Sequence, residues 1–376
     1  MKTIRVVAAV ICDSIQEKED KSMYPIVGLE HLTPEQITLQ NWDLNTENTF
    51  TKVFRKGNIL FGRRRAYLKK AAVAPFDGIC SGDITVIEAK EDKIIPELLP
   101  FVIQNDDLFD FAVGKSAGSL SPRVKWTHLQ NYEFELPDKQ KQHELAKVLW
   151  AIEDTRKSYQ QLIKKTDELV KSQFIEMFGD VENNPKEYQV KQISEFAELF
   201  AGATPSTKVR AYWENGTIPW MSSGEVHMGR ITSTEKKISQ QGYEKCSTKM
   251  VPIHTVVIAL AGQGKTRGTV AVTEIELCTN QSLCAIVTDD TVLSDYLYHN
   301  LKNRYEEIRN MCAIVDGRGG LNLKIVGSIK IIVPSVDEQK RFITFAKQSD
   351  KSKFELNRAL DELTATYKQI IKDNLG

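Results

Sequence analysis

The sequence lacks a charge excess of either sign. Fifty lysines and arginines face fifty aspartates and glutamates, so an anionic partner must be met by a local basic surface. It also lacks any apolar run near the ~20 residues of a membrane span. The apolar stretch Val6 to Cys12 has no cleavage site behind it and reads as a strand, not a signal peptide. Cysteine and histidine are sparse and dispersed, six of each, with no C-x-x-C pair. That argues against a structural zinc site and for free thiols in a reducing cytoplasm. Missing too are a G-x-S-x-G nucleophile elbow and an N-P-P-[YF] loop for gripping a base; Asn183-Asn184-Pro185-Lys186 is the nearest approach. No catalytic constellation stands out, and no cofactor is expected. What is there, 376 residues with 41% hydrophobic and 27% charged side chains, suits a globular chain long enough for two domains.

The chain repeats itself. Leu136-Pro137 is followed by DKQKQHELAKVL and Val333-Pro334 by SVDEQKRFITFA, with Gln142 and Gln339 in matching places. YPIVGLEHL (24–32) corresponds to IPWMSSGEV (218–226), and GNILFGRRRAYLKKAAVA (57–74) to HTVVIALAGQGKTRGTVAV (254–272). Such self-similarity predicts two copies of one unit, each followed by a long helix. In the first helix Leu145, Val148/Leu149, Ile152, Tyr159, Leu162/Ile163, Leu169/Val170 and Phe174 recur at steps of three and four, interrupted by Thr155 and Thr166. In the second, Phe342, Phe345/Ala346, Leu356, Leu360, Leu363, Tyr367 and Ile370/Ile371 do the same. This spacing predicts coiled-coil packing of two antiparallel helices, each roughly 60 Å long at 1.5 Å per residue. Ordinary amphipathic helices on separate domains are the competing reading. The units read as α+β, with strands at 255–259, 268–273, 283–287 and 329–333 and helices within 95–112 and 293–312.

Residues 259–266, ALAGQGKT, imitate a phosphate-binding loop but hold Ala259 at the first glycine position. The next residues, RGTVAVT, read as a strand, whereas a phosphate loop must open a helix. The loop therefore joins two strands, with Gln263, Lys265, Thr266 and Arg267 projecting from its tip. The matching stretch in the first unit carries Lys52, Arg55, Lys56, Arg63, Arg64, Arg65, Lys69 and Lys70, with Tyr67 among them and no acidic residue between Thr51 and Pro75. In a neutral chain this is the footprint nucleic acids attract, and arginine can grip phosphate or guanine bidentately. A solvated hairpin, or a patch facing RNA or lipid, would look the same. Lys115, Arg123 and Arg318, in Gly/Ser-rich segments before each unit's last strand, are further candidates. A Mg²⁺ nuclease is the alternative: Pro75-Phe76-Asp77 and Glu88-Ala89-Lys90 imitate a P-D…E-x-K site, in which two carboxylates hold the metal.

Taken in order, the twofold repeat, the LPDKQKQHELAKVL and VPSVDEQKRFITFA starts, the Asp167-Glu168-Leu169 and Asp361-Glu362-Leu363 stretches, IPWMSSGEV and GQGKTRGTVAV resemble the specificity subunit of Type I restriction-modification systems over nearly the whole chain. The resemblance implies two target recognition domains in tandem repeat, at 1–136 and 181–334. Spacer helices at 137–180 and 335–376 would separate them as an antiparallel coiled coil. It implies a non-catalytic, cytoplasmic subunit that reads a split, asymmetric sequence in double-stranded DNA and docks methyltransferase subunits, and restriction subunits through them. S-adenosylmethionine and ATP would belong to those partners. Carried onto this sequence, it points to Arg63, Arg64, Arg65, Tyr67 and Lys70, and to Gln263, Lys265, Thr266 and Arg267, as DNA-binding residues. The second unit has a long lead-in, 188–217, where the first has 23 residues before Tyr24, so the first domain is expected to be abbreviated at its start.

Overall fold

The computed structural model describes residues 4–15, 25–44, 47–262, 264–315 and 320–376. Packing divides the chain into two compact units, Met1–Leu162 with Leu356–Gly376 and Ile163–Glu355. Unit 1 holds β1 (Ile4–Val7), β2 (Cys12–Ile15), β3 (Ile26–Val27), β4 (Lys52–Phe54), β5 (Ile59–Gly62), β6 (Ala71–Val73), β7 (Gly78–Cys80), β8 (Ile84–Ala89) and β9 (Glu133–Leu136). These form a four-stranded sheet ordered β2-β8-β5-β6, a three-stranded sheet β3-β7-β4 and a ribbon β1-β9. Unit 2 holds β10 (Gln189–Gln192), β11 (Ala197–Ala201), β12 (Ile218–Met221), β13 (Arg230–Ile231), β14 (Lys236–Ile238), β15 (Met250–Val251), β16 (Val256–Ala259), β17 (Val270–Thr273), β18 (Leu277–Thr279), β19 (Leu283–Thr288) and β20 (Lys330–Val333). Their sheets, β11-β19-β16-β17-β13, β14-β12-β18-β15 and β10-β20, repeat the unit 1 plan. In both units the second sheet is built on a parallel pair, β3 with β7 and β12 with β18.

The opening segment is not one strand. β1 pairs with β9 and β2 with β8, in different sheets, because a helical turn at Ala8–Ile11 redirects the chain. The N–H groups of Ala8 and Ala9 donate to the carbonyls of Tyr132 and Gln130, holding that turn against the segment before β9. β10 and β11 play the same two parts in unit 2, so residues 4–15 supply counterparts of both lead-in strands. The stretch that follows, 16–24, lies outside the described residues.

The helices packed on these sheets are α1 (Leu99–Ile103), α2 (Asp106–Gly114), α3 (Lys139–Phe178), α4 (Ser294–Asn303), α5 (Tyr305–Val315) and α6 (Val336–Leu375). Each predicted helical segment, 95–112 and 293–312, is broken into two. The first breaks where Asn105 caps α2 by accepting from the N–H of Asp107.

Both long helices run 40 residues and begin with the same clamp. Gln142 is buried; its amide donates to the carbonyl of Pro137 at 2.9 Å and accepts from the N–H of Ile95 at 3.0 Å. Gln339, also buried, donates to the carbonyls of Pro334 and Thr291 at 3.0 and 2.9 Å and accepts from the N–H of Leu293 at 2.8 Å. A side chain five residues past the proline thus ties helix, strand end and preceding loop together.

Within unit 1, Leu145, Leu149 and Ile152 of α3 share a core with Tyr367, Ile371 and Leu375 of α6. Within unit 2, Phe174 packs edge-on to Phe342 at 5.1 Å, and Asp167 pairs with Lys353 at 2.7 Å, so the helices run antiparallel there. The seam takes only one member of each apolar doublet: Leu149 and Val170 are buried, while Val148, Leu162 and Leu169 are about half exposed. Its polar interruption is not at Thr155 or Thr166. It is a buried pair, Glu153 and Arg156, 3.1 Å apart, with Arg156 stacked over Tyr367 at 5.4 Å.

His299 of α4 lies buried beside the rings of Tyr298 and Phe342, 5.0 and 5.2 Å away. Burial pushes its pKa down from 6.5 to about 4. The unfolded chain takes the proton first as pH falls, so the stability held above the unfolded pKa is lost between about pH 6.5 and pH 4. A shift of this size corresponds to roughly 3 kcal/mol. Urea unfolding at pH 7 and pH 4 is expected to show that loss in unit 2, and His299→Gln to remove this part of the pH dependence. Gln339→Ala takes the acceptor from the part-buried Leu293 N–H and the donor from the Pro334 and Thr291 carbonyls, at a cost of about 1–3 kcal/mol for a group left unsatisfied. The same titration at pH 7 is expected to show it.

Candidate nucleic-acid interface

The repeated fold puts one basic loop in the same place in each unit. In unit 1 it runs from β5 to β6, antiparallel neighbours. Arg63 and Arg64 leave β5 half-buried, each with its Nε buried. The Arg63 N–H donates to the Asp83 carbonyl at 3.0 Å, and the Arg63 carbonyl accepts from Val124 at 2.9 Å. Arg64 pairs by backbone with Arg123, which in turn bridges Ala117. Both guanidinium groups converge on the Asp83 carboxylate. Arg123 donates to it through Nε at 2.6 Å and Nη2 at 3.2 Å, and Arg64 Nη1 lies 3.5 Å away. Arg64 also donates to Ser121 Oγ at 3.0 Å. The hydrogen bond from Arg123 holds the Asp83 carboxyl below its usual range.

The rest of the loop is sorted by the same contacts. Lys70 does not project; its ammonium donates to the Leu29 carbonyl at 2.7 Å. Lys69 is held by Asp106 at 2.6 Å, and that hydrogen bond raises its pKa. Arg65, in the left-handed region at φ 54°, and Tyr67, 54% exposed, face solvent. Lys115, at the end of α2, is exposed with its ammonium 5.7 Å from the Phe111 ring centre. Arg63, Arg64, Arg65 and Arg123 therefore meet at one edge, while most of the cations the sequence places there are held by neighbours.

In unit 2 the GQGKT loop joins β16 to β17, as two strands and no helix. Gly262, Gly264 and Gly268 take φ of 146°, 62° and 84°, values open to glycine because it has no Cβ. Lys265 is exposed. Thr266 and Arg267 are not; the loop curls back and half-buries both, with the Arg267 Nε buried. The cause is a set of contacts the sequence does not announce. The Tyr305 hydroxyl donates to the Lys265 carbonyl at 3.0 Å and accepts from Arg309 Nη1 at 2.5 Å. Thr266 Oγ1 lies 3.1 Å from His227 Nε2. Gln263 and Arg318 lie outside the described residues. Tyr305 and Arg309 stand four apart on α5 and so share a helix face, but nothing in the sequence says that this face meets the loop. Asp83 could have been noticed as the one carboxylate in the Ser81-Gly82-Asp83 turn between two strands of the basic unit.

Among the described residues the nuclease alternative finds no site. Asp77 accepts from the Lys56 N–H at 2.7 Å and pairs with Arg55 at 3.6 Å. Lys90 donates to the Ala9 carbonyl and pairs with Asp13. Among the described residues, no group of three or more His, Cys, Asp or Glu side chains could hold a metal ion. Nor is any described helix long and apolar enough to cross a membrane.

Comparison with known proteins bears on the family and the fold. The family model of the Type I restriction modification DNA specificity domain matches twice, over residues 10–166 and 185–364. The EcoR124I/EcoR124II specificity subunit of Escherichia coli is 27% identical over 167 residues, 44% of this chain and 41% of that one. The MjaIX specificity subunit of Methanocaldococcus jannaschii is 28% identical over 194 residues, 49% of this chain and 43% of that one. The alignments thus span about two fifths of the length of these curated relatives. Among solved structures, the S subunit of a Type I restriction-modification system from M. genitalium superposes with a TM-score of 0.60 at 14% identity, covering 100% of this chain and 96% of that one. A chain from a study of complex assembly and conformational transition in a Type I R-M system gives 0.62 at 18% identity, covering 99% and 97%. At these identities the structures show a common fold.

Asp83 is the hub that holds the 117–124 segment against the unit 1 loop. Asp83→Asn is expected to speed amide hydrogen exchange at Ala117 and Arg123, whose N–H groups bond each other's carbonyls, and to leave exchange in the 260–269 loop unchanged.

Proposed function

The chain belongs to the Type I restriction modification DNA specificity family, and from that premise we propose that it is the DNA-reading subunit of a Type I restriction-modification complex. It reads a bipartite target in double-stranded DNA, one half with each unit, and performs no catalysis. Residues 1–136 and 181–334 act as the recognition domains, and the helical stretches 137–180 and 335–376 as the spacer that sets the gap between half-sites. Methyltransferase subunits dock on the helices, restriction subunits join through them, and the complex works in the cytoplasm.

One observation carries this reading: the same strand-to-strand basic loop recurs at the same place in two copies of one fold, within a chain of zero net charge. Arg63, Arg64, Arg65, Tyr67, Lys115 and Arg123 form the candidate surface of unit 1. Lys265, Thr266 and Arg267 form that of unit 2, with Gln263 and Arg318 beside them in sequence. Arg65, Tyr67, Lys115 and Lys265 are exposed, and of these the unit 1 side chains are free to reach base edges. Arg64 and Arg123 shape the loop and add positive charge facing phosphate.

The test is methylation by the chain reconstituted with its methyltransferase subunits, read out by mapping modified positions. Wild type is expected to modify a single split sequence. Arg65→Ala is expected to relax preference in one half-site, a lost bidentate base contact costing ~1–3 kcal/mol of discrimination. Uniform methylation of all DNA by the wild-type complex would overturn the reading.

A further inference from the structure

Unit 2 carries a cleft of about 630 Å³ directly beside the 260–269 loop. One wall is the 226–230 segment, another is Lys265 with Gly268–Val270, and Tyr298, Lys302 and Tyr305 line its α4–α5 side. Its charge is lopsided. Arg230, Lys265, Lys302 and Lys353 line it against one carboxylate, Asp350.

These cations do not share one role. Arg230 is held by Glu274 at 2.8 Å and Asp295 at 2.7 Å, and Lys353 by Asp167 and Asp350. They are fixed parts of the wall. Lys265 and Lys302 are exposed, and neither has a carboxylate at ion-pair distance among the described residues. The Lys302 ammonium instead lies 5.6 Å from the Tyr298 ring centre. That ring also carries Arg230 at 5.7 Å, so Tyr298 gathers two positive groups on the cleft surface. The loop side of the cleft is equally fixed, because Tyr305 and Arg309 hold the Lys265 carbonyl and His227 meets Thr266.

A preformed groove with two unneutralised lysines at its edge attracts an extended polyanion more than a base edge. Point-like ammonium groups suit phosphate contact without sequence readout. The contrast with unit 1 sharpens this. There a smaller cavity, about 240 Å³, is lined by Glu35, Asp106 and Asp107 as well as by Arg156, Lys368 and Lys372, and offers no net attraction for an anion.

We propose that this cleft, edged by Lys265 and Lys302 and floored by Tyr298 and Tyr305, receives the sugar-phosphate backbone of the duplex whose half-site unit 2 reads. The assignment rests on the DNA-reading function. It makes Lys302 a sequence-independent phosphate contact and Tyr305 a positioning residue for the loop.

The full chain is titrated with a mixed-sequence duplex over a range of salt concentrations, as wild type and as Lys265→Gln, Lys302→Gln and Lys340→Gln. The last changes an exposed lysine in the first turns of α6, away from the cleft lining. Each lost phosphate contact reduces the steepness of log K against log[salt] by about 0.9. Lys302→Gln and Lys265→Gln are expected to show that reduction, and Lys340→Gln to keep the wild-type slope. In the reconstituted methylation assay, Tyr305→Phe is expected to relax the preference in one half-site, while its salt slope stays at the wild-type value. Wild-type slopes in both Lys265→Gln and Lys302→Gln would overturn the cleft assignment and leave the DNA-reading function standing. A wild-type chain that retains no duplex at low salt, with methyltransferase subunits present, would overturn the function itself.

Discussion

The architecture of each unit depends on one buried amide. A strand that ends on proline cannot continue its ladder through that residue's missing N–H, and the helix that follows opens with orphan N–H groups of its own. Gln142 and Gln339 reach back from the second turn of α3 and α6 to the proline carbonyl, and sideways to the backbone of the loop ahead of α1 or α4. Because both amides are buried, water cannot replace these bonds, and a misplaced helix would leave donors and acceptors unsatisfied in the core. The direction in which each long helix leaves its sheet is thereby tied to the position of the α/β body it serves. The helices also carry the buried Glu153–Arg156 pair, whose desolvation makes it a poor source of stability and a good reason for one register over another.

With that scaffold fixed, the two loops are free to differ, and they do. Two residues before the returning strand, unit 1 has Lys69 and unit 2 has Gly268, and both are left-handed, at φ 50° and 84°. Glycine enters that region at no steric cost; lysine does not. Lys69 is kept there with its ammonium on Asp106, whereas the unit 2 loop is held from α5 through Tyr305 and Arg309. The same turn is locked by an ion pair in one copy and by a hydroxyl relay in the other. Loop chemistry can thus diverge between copies without disturbing the strands that present it.

These locks also explain why much of the fold was legible in the sequence and much of the site was not. The duplication, the strand–proline–helix junctions and the long helices are written in local patterns: apolar spacing, proline, and a glutamine at a fixed distance. Such patterns survive translation into structure because backbone hydrogen bonding and burial act on neighbours in sequence. The opening segment reads as one strand in the sequence, yet its break at Ala8–Ile11 is set by carbonyls more than 120 positions away, at Gln130 and Tyr132. The helix seam was read too broadly, since a doublet such as Val148/Leu149 does not say which member faces the partner; only Leu149 does.

The basic loops show the harder limit. Composition marked the charge correctly but not its availability. Arg64 and Arg123 are drawn onto Asp83, Lys69 onto Asp106 and Lys70 onto a backbone carbonyl; each of these partners is remote in sequence except for its place in the fold. What distinguishes a reading side chain from a supporting one is whether a carboxylate or carbonyl happens to stand within reach once the sheets close. In unit 1 most of the cluster is supporting, and Arg65 and Tyr67 are left outward. In unit 2 a shorter and less conspicuous run of charge leaves Lys265 open beside a cleft to which α4 adds Lys302. Lys302 belongs to no motif and no run of charge, and its relevance arises only because α4 packs its polar edge against the loop. A cluster count therefore overstates what is available: unit 1 holds Arg64, Arg123 and Lys69 in internal ion pairs, while Lys265 and Lys302 of unit 2 stand exposed.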